Sequence, residues 1–458
     1  MTTPNILFAH LTGSGSLTDI EYLHASLQQA HATNPESKIY LITDLPLPPR
    51  SWLTVVPVGA VCDSAVVFIS KYTKPALNSP YWYLIVVFAR LLMMMEAVRK
   101  LSIAPCVCVE SDVLLFCEVT DLLQEHRSPF PTNFDKSSSN FGIAAIYSID
   151  AAVKIESQVL EMIEVLPPTA TEMYVLNHMT RHPSFEGRFG GLSFLESGSY
   201  VDYSITDSHG NYFLMESEPR YDRAYKKVVV DSRARRACAF RRDVAGQHVE
   251  LASLHLHAQF KGDIHRYMGA AVVEGYLGQR CVHEFSALEM SARHNSFLKN
   301  HAVAMTEWSG VKDVSPYYYR ADYELYKLHY LMEGYSAAEE SLRRAIDLWP
   351  DGIYLRLALI QNLLIRQRRF AEAEKELQDL CRAHREAFSP YYLQSLVCTY
   401  LGRFEEARGF VATAISNNAC NPRGWLLQMQ IVKETSGQSD SYKTASEEFS
   451  RAFPGYRP

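Results

Sequence analysis

Two acids separated by one residue, Glu110 and Asp112, close a run of small apolar residues at 106–109 that reads as a buried strand. Carboxylates at i and i+2 beside a strand's end share a face or flank a tight kink, so both can address one hard divalent cation. A cation held there would neutralise the charge that develops on a departing diphosphate, and acid-x-acid at a strand terminus suits that task. Strands that bind nothing also end in such pairs, and residues 106–112 alone leave both readings open.

Other candidate chemistry is thinner. Gly13-Ser14-Gly15-Ser16 has neither the Gly-Lys-Ser/Thr ending of a P-loop nor Rossmann spacing, and reads as a flexible strand-to-helix turn. Nine scattered cysteines offer no pair of CxxC motifs for zinc, which fits reduced thiols in a cytoplasm. Residues 220–242 hold nine basic side chains against two acidic ones, within a chain of net charge -6. That segment is either a solvated face or a contact for an anionic donor, an acidic acceptor or a membrane surface. The overall charge and the lack of a reading motif argue against nucleic acid. The N-terminus has no basic n-region and only residues 6–9 as an apolar stretch, so secretion is not expected. The longest apolar run, 84–95, is twelve residues with Arg90 inside it, against about 20 for a membrane span, and reads as a buried helix. The expected location is cytoplasmic, with peripheral membrane contact as an extension.

The elements that must position these groups alternate in kind. Residues 5–10 form a short apolar run, 19–32 carry apolar residues at helical spacing, and 38–44 read as a second strand ended by Pro46, Pro48 and Pro49. A helix over 84–101 then feeds the strand at 106–110. Strands separated by helices predict a mostly parallel sheet covered on both faces, with its chemistry at the carboxyl ends of the strands. With 458 residues the chain exceeds one typical core, so further domains are expected.

From about residue 317 only helical periodicity remains. Tyr335-Ser336-Ala337-Ala338, Phe370-Ala371-Glu372-Ala373 and Phe404-Glu405-Glu406-Ala407 share an aromatic-x-x-Ala pattern at spacings of 35 and 34 residues. Alanines let paired helices approach closely, aromatics fill the gaps between repeats, and Pro350 and Pro422 are expected to end second helices. The pattern resembles tetratricopeptide repeats, which would offer a helical groove for a protein or glycan-bearing partner, or a self-association surface.

Several segments in order carry a further resemblance: His10-Leu11-Thr12-Gly13, residues 34–44, Tyr81-Trp82 with Arg90, Val109-Glu110-Ser111-Asp112-Val113, Asn140 to Tyr147, Thr171-Glu172-Met173 and Leu254-His255-Leu256-His257. Together they resemble the nucleotide-sugar glycosyltransferases of the GT-A type. The resemblance implies an α/β fold, a Rossmann-like mixed sheet flanked by helices over 1–268, followed by a helical connector over 269–316 and an all-α tetratricopeptide-like solenoid over 317–458. It implies transfer of a sugar from a nucleoside-diphosphate sugar, a UDP-sugar being favoured, to a glycan, lipid-linked or protein acceptor, with Mn²⁺ or Mg²⁺ on the diphosphate.

Carried over residue by residue, Asp112 would hold the metal, Arg90 would add positive charge, and His10, Thr12 and Lys261 would lie around the donor. One of His255 and His257 would complete the metal ligands; His257 is favoured because Lys261-Gly262 follows closely. Asp44 would contact the base or ribose, or simply shape a turn. Glu172 is either a general base for the acceptor hydroxyl or a carboxylate favoured at a helix start. The family's motif often begins with Asp; here Glu110 has a longer arm that suits either the metal or the sugar. That departure leaves room for a non-catalytic scaffold built on a degenerate transferase fold, and a nucleotidyltransferase would share the metal logic.

Overall fold

The first strand, β1 (Asn5–His10), buries Ile6, Leu7, Phe8 and Ala9, so both of its faces are covered. In chain order it is followed by α1 (Glu21–Thr33), β2 (Ile39–Thr43), β3 (Leu53–Pro57), α2 (Asp63–Lys71), α3 (Tyr81–Leu101) and β4 (Cys106–Glu110). Then come β5 (Val113–Leu115), α4 (Val119–Glu125), β6 (Ile143–Ile146), α5 (Ile149–Met162) and α6 (Glu172–Arg181). The computed structural model describes residues 3–11, 21–72, 81–125, 142–163, 165, 172–181, 199–201, 213–218, 223–231, 236–242, 244, 246–256, 264, 267–268, 287–436 and 440–456.

The main sheet has the order β3-β2-β1-β4-β6, in which β6 alone is antiparallel to its neighbour. Alternate residues of each strand face opposite layers. Ile6, Phe8, Leu41, Val107 and Val109 point into one hydrophobic cluster with α1, whereas Leu7, Ala9, Ile42, Cys106 and Cys108 point into another with α2, α3, α5 and α6. This two-faced burial is why the strands read as near-continuous apolar runs.

A smaller sheet lies beside the first. It is built from β7 (Tyr200–Val201), β10 (Val228–Asp231), β11 (Arg236–Phe240), β12 (His248–His255) and β5, in the order β10-β11-β12-β5, with β7 paired to β12. A separate hairpin joins β8 (Met215–Glu218) to β9 (Arg223–Lys226). The chain passes from the main sheet to the smaller one through Ser111 and Asp112, the two residues between β4 and β5. The basic segment contributes β9, β10 and β11, and several of its charges are engaged. The fully buried Lys226 ammonium lies 5.2 Å from the centre of the Phe213 ring, Lys227 pairs with Glu216 at 3.1 Å, and Arg236 pairs with Glu250 at 3.4 Å. Arg220, Arg233 and Arg235 lie outside the described residues.

The C-terminal part is a tetratricopeptide-like helical solenoid. Its helices pair as Tyr319–Leu331 with Tyr335–Leu348, Phe388–Tyr400 with Phe404–Asn417, and Pro422–Ser436 with Asp440–Ala452. The remaining pair sets Ile353–Ala358, continued by Leu359–Ile365, against Phe370–Ala383. Each aromatic-x-x-Ala copy opens the second helix of a pair, and Ala338, Ala373 and Ala407 are fully buried where the paired helices meet. Pro422 opens a first helix instead of ending a second one; its missing N–H costs nothing at a helix start. Residues 287–316, expected as a connector, contain a further hairpin, Ala287–Phe297 and His301–Val314, whose buried Trp308 extends the array's core.

The unequal repeat spacing has a local cause. Leu359–Ile365 is a π-helical stretch, whose wider turn absorbs one extra residue in the first helix of the 35-residue repeat. Turns between paired helices place Lys299, Glu333, Arg368 and Gly402 at positive φ, between 57° and 73°. The next residue's N–H closes the turn in each, for example Arg403 N to Cys398 O at 2.9 Å. These are the left-handed C-terminal turns that favour glycine, and Gly402 is the one place among these four where the sequence supplies it.

The array and the α/β part share their cores. The loops that precede the first helices of the repeats run along the α/β part: the edge of the His24 ring meets Trp349 at 5.3 Å, Arg50 bonds Asp351 at 2.8 Å, and Phe388 N donates to Asp44 O at 3.0 Å. Gly59 approaches the end of Phe404–Asn417 so closely that a Cβ there would lie 2.7 Å from Ser416 O. Phe449 of the last helix and Phe453 just beyond it join the cluster formed by α2 and α3.

Candidate metal and donor site

Three ligating side chains converge where β4 crosses into β5. Glu110, Asp112 and His255 each bring a ligand atom, and these atoms all lie within 4.8 Å of one another. The sheet registers produce this. Pairing of β12 with β5 sets His255 opposite Val113, and Leu256 N donates to Asp112 O at 3.0 Å, so the end of β12 lies beside the acid pair. His255 Nε2 is 3.2 Å from Glu110 Oε2 and 3.5 Å from Asp112 Oδ1. Two carboxylates and one imidazole are ligand types that suit a divalent cation.

Electrostatics bind the cluster tightly. Burial favours neutral imidazole, yet the Asp112 and Glu110 carboxylates outweigh it and lift the His255 pKa to about 10. Burial likewise opposes charge on Glu110, but the Arg90 guanidinium and the His255 ring hold its pKa down to about 2. Arg90 donates from Nη2 to Glu110 Oε1, so α3 buttresses the first acid directly. His10, at the end of β1, places Nδ1 3.2 Å from Ser111 Oγ, because β1 pairs with β4 in a register that sets Ala9 against Glu110. The rim therefore holds a half-buried histidine beside the residue between the two acids.

The structure thus gathers Glu110, Asp112, His255, Arg90 and His10. Asp44 is fully buried and its Oδ2 accepts from Asn418 Nδ2 at 2.8 Å, which ties it to the repeats. Glu172 begins α6 as expected; its side chain, like Thr12, His257 and Lys261, lies outside the described residues. His255 meets both carboxylates, and the favoured His257 lies outside the described residues. Ser111 and Tyr22, whose ring edge lies 5.8 Å from His10, carry no sequence signal of their own, since neither type marks a site without a neighbour.

No protein-family model matches the chain, and neither does any curated protein. Among solved structures it is similar to MamA from Desulfovibrio magneticus RS-1, at 13% identity and a TM-score of 0.33, covering 39% of this chain and 96% of that one. YrrB, a TPR protein with an unusual peptide-binding site, is similar at 12% identity and a TM-score of 0.31, over 37% of this chain and 86% of that one. A thermophilic TPR protein of Thermus thermophilus is similar at 14% identity and a TM-score of 0.29, over 36% of this chain and 89% of that one. The repeat assignment stands on the helix pairs described above. Among the described residues no helix is long and apolar enough to cross a membrane.

Proposed function

We propose that the chain is a metal-dependent glycosyltransferase of GT-A type that transfers a sugar from a nucleoside-diphosphate sugar, a UDP-sugar being favoured, to a glycan, lipid-linked or protein acceptor. The observation that carries this reading is the convergence of Glu110, Asp112 and His255 at the carboxyl end of β4, where open α/β sheets bind ligands. Bound Mn²⁺ or Mg²⁺ would supply Lewis-acid stabilisation of the leaving diphosphate. Asp112 and His255 would hold the metal, Glu110 would serve it while paired with Arg90, and His10 with Ser111 would orient the donor. Glu172 is the proposed base toward the acceptor. The repeats recruit a protein or glycan-bearing partner, and the protein works in the cytoplasm or at a membrane surface. Isothermal titration of UDP and GDP with and without Mn²⁺ tests the reading: metal-dependent binding that Asp112→Ala abolishes supports it, and binding indifferent to that change sinks it.

A second reading has its own support. Arg90 and protonated His255 supply two positive charges against two carboxylates, a balance that satisfies the cluster without any metal. That balance suits a non-catalytic scaffold on a degenerate transferase fold, for which neither nucleotide nor Mn²⁺ would bind.

A further inference from the structure

The helix α1 meets the repeat array at its first turn, reaches the acid pair there through His10, and bonds β5 from its last turn. At its first residue, Glu21 is buried and paired with Arg320 of the repeat helix Tyr319–Leu331, whose guanidinium is equally buried. Arg320 is in turn fixed by Glu324, at 2.8 Å. The next residue, Tyr22, sets its ring edge against His10, which contacts Ser111 between the two acids. At the far end of α1, Gln29 Nε2 and Thr33 Oγ1 donate to Leu115 O at 3.1 and 3.0 Å, and just beyond it Asn34 Oδ1 accepts from Val119 N at 2.7 Å. The segment from Glu110 to Val119 is therefore held from one side by α1, and α1 is held by the array.

We infer that Arg320 is a positioning residue for the metal site, acting through Glu21 and α1 so that the repeats set the geometry of Glu110, Asp112 and His255. A buried ion pair fixes orientation more than it adds stability, because desolvation offsets most of its Coulomb attraction. A helix clamped at both ends by buried polar contacts transmits a shift at one end to the other, since packed interiors do not deform smoothly. Anything that binds the first repeat and displaces Arg320 then alters metal affinity, and by linkage the metal alters binding at that repeat.

This inference depends on the metal-dependent reading above, and one titration separates the two. Mn²⁺ alone is titrated into the full chain and into Arg320→Gln, Glu21→Gln, the double variant, Tyr22→Leu and Arg50→Ala, with circular dichroism confirming that each is folded. Arg320→Gln and Glu21→Gln are expected to weaken Mn²⁺ binding by about fivefold or more, with the double variant no weaker than either. Tyr22→Leu, which spares the buried ion pair, is expected to weaken it similarly and decides the matter if Arg320→Gln does not fold. Arg50→Ala cuts another array contact, to Asp351, and is expected to leave affinity unchanged. Wild-type binding with unmoved affinity in Arg320→Gln or, failing its folding, in Tyr22→Leu overturns the inference while leaving the metal reading intact. Loss of affinity in Arg50→Ala as large as in Arg320→Gln also overturns it, since any damage to the array would then suffice. A wild type that binds no Mn²⁺ overturns both.

Discussion

Asn418 Nδ2 donates to Asp44 Oδ2 at 2.8 Å, joining the end of β2 to a loop of the last repeats across 374 positions of sequence. Both residues are buried. Removing the amide leaves a buried carboxylate short of a donor, so Asn418→Leu is expected to destabilise the chain by about 1–3 kcal/mol. Urea denaturation would show this as a lower midpoint at unchanged slope.

The shared cores make the α/β part dependent on the array. Leu23 and Leu27 of α1 lie in one cluster with Trp308, Tyr319 and Leu342 of the helices that follow. A fragment ending at residue 268 would expose that surface to water and is expected to be insoluble or molten, whereas the full chain unfolds as one unit. Size-exclusion chromatography and dye binding to exposed apolar surface would distinguish the two.

His24 makes the same seam sensitive to pH. Burial, reinforced by the Arg50 charge and opposed by Glu21, depresses its pKa from 6.5 to about 4, so the folded chain keeps this imidazole neutral. The unfolded chain binds the extra proton first as pH falls, so the contribution is fully present above about pH 6.5 and is lost progressively toward pH 4. The loss is on the order of 3 kcal/mol. His24→Phe is expected to flatten this part of the profile of stability against pH, measured by chemical denaturation at a series of pH values.

Metal binding is expected to appear as stability. Mn²⁺ at 100 times its dissociation constant would add about 2.7 kcal/mol, and chelation by EDTA would reverse it. Asp112→Asn and His255→Gln each remove one ligand and are expected to abolish the shift in melting temperature. Asp44→Asn, outside the cluster, is expected to lower the baseline yet preserve the shift.

The repeat turns offer an opposite pair of outcomes. Gly402 has φ of 73° with open space around an added Cβ, so Gly402→Ala is expected to cost about 1 kcal/mol from backbone strain alone. Glu333 holds the equivalent position at φ 60°, and Glu333→Gly is expected to stabilise by up to about 1 kcal/mol. Thermal unfolding of the two variants should move in opposite directions.

The strands at 5–10, 38–44 and 106–110, the helices between them and the repeat period were legible in residues alone, whereas β3, α2 and the strands β7 to β11 were not. Apolar runs such as 5–10 and 106–110 became strands with those bounds, and the three aromatics of the repeat became the first residues of three helices. Local pattern suffices there, because strand and helix burial impose periods of their own. The acid pair was likewise visible as a candidate, since Glu110 and Asp112 are neighbours in sequence. Tertiary structure decided the rest. That His255 reaches the acids depends on the register of β12 against β5, and a shift of one residue would turn Leu254 or Leu256 toward them instead. Asp44 ends a strand and reads as a contact for the base or ribose or as a turn residue; its carboxylate meets Asn418, 374 positions away, in a loop whose place is set only when the repeats dock. The additional helical hairpin before the repeats lacked the aromatic-x-x-Ala signature, and its membership in the array shows only in the burial of Trp308. Sequence thus determined strand and helix character where the apolar period is strong, through short-range sterics; long-range packing decided that Glu21 and His24 of α1 face the repeats and that β12 brings His255 to the acid pair.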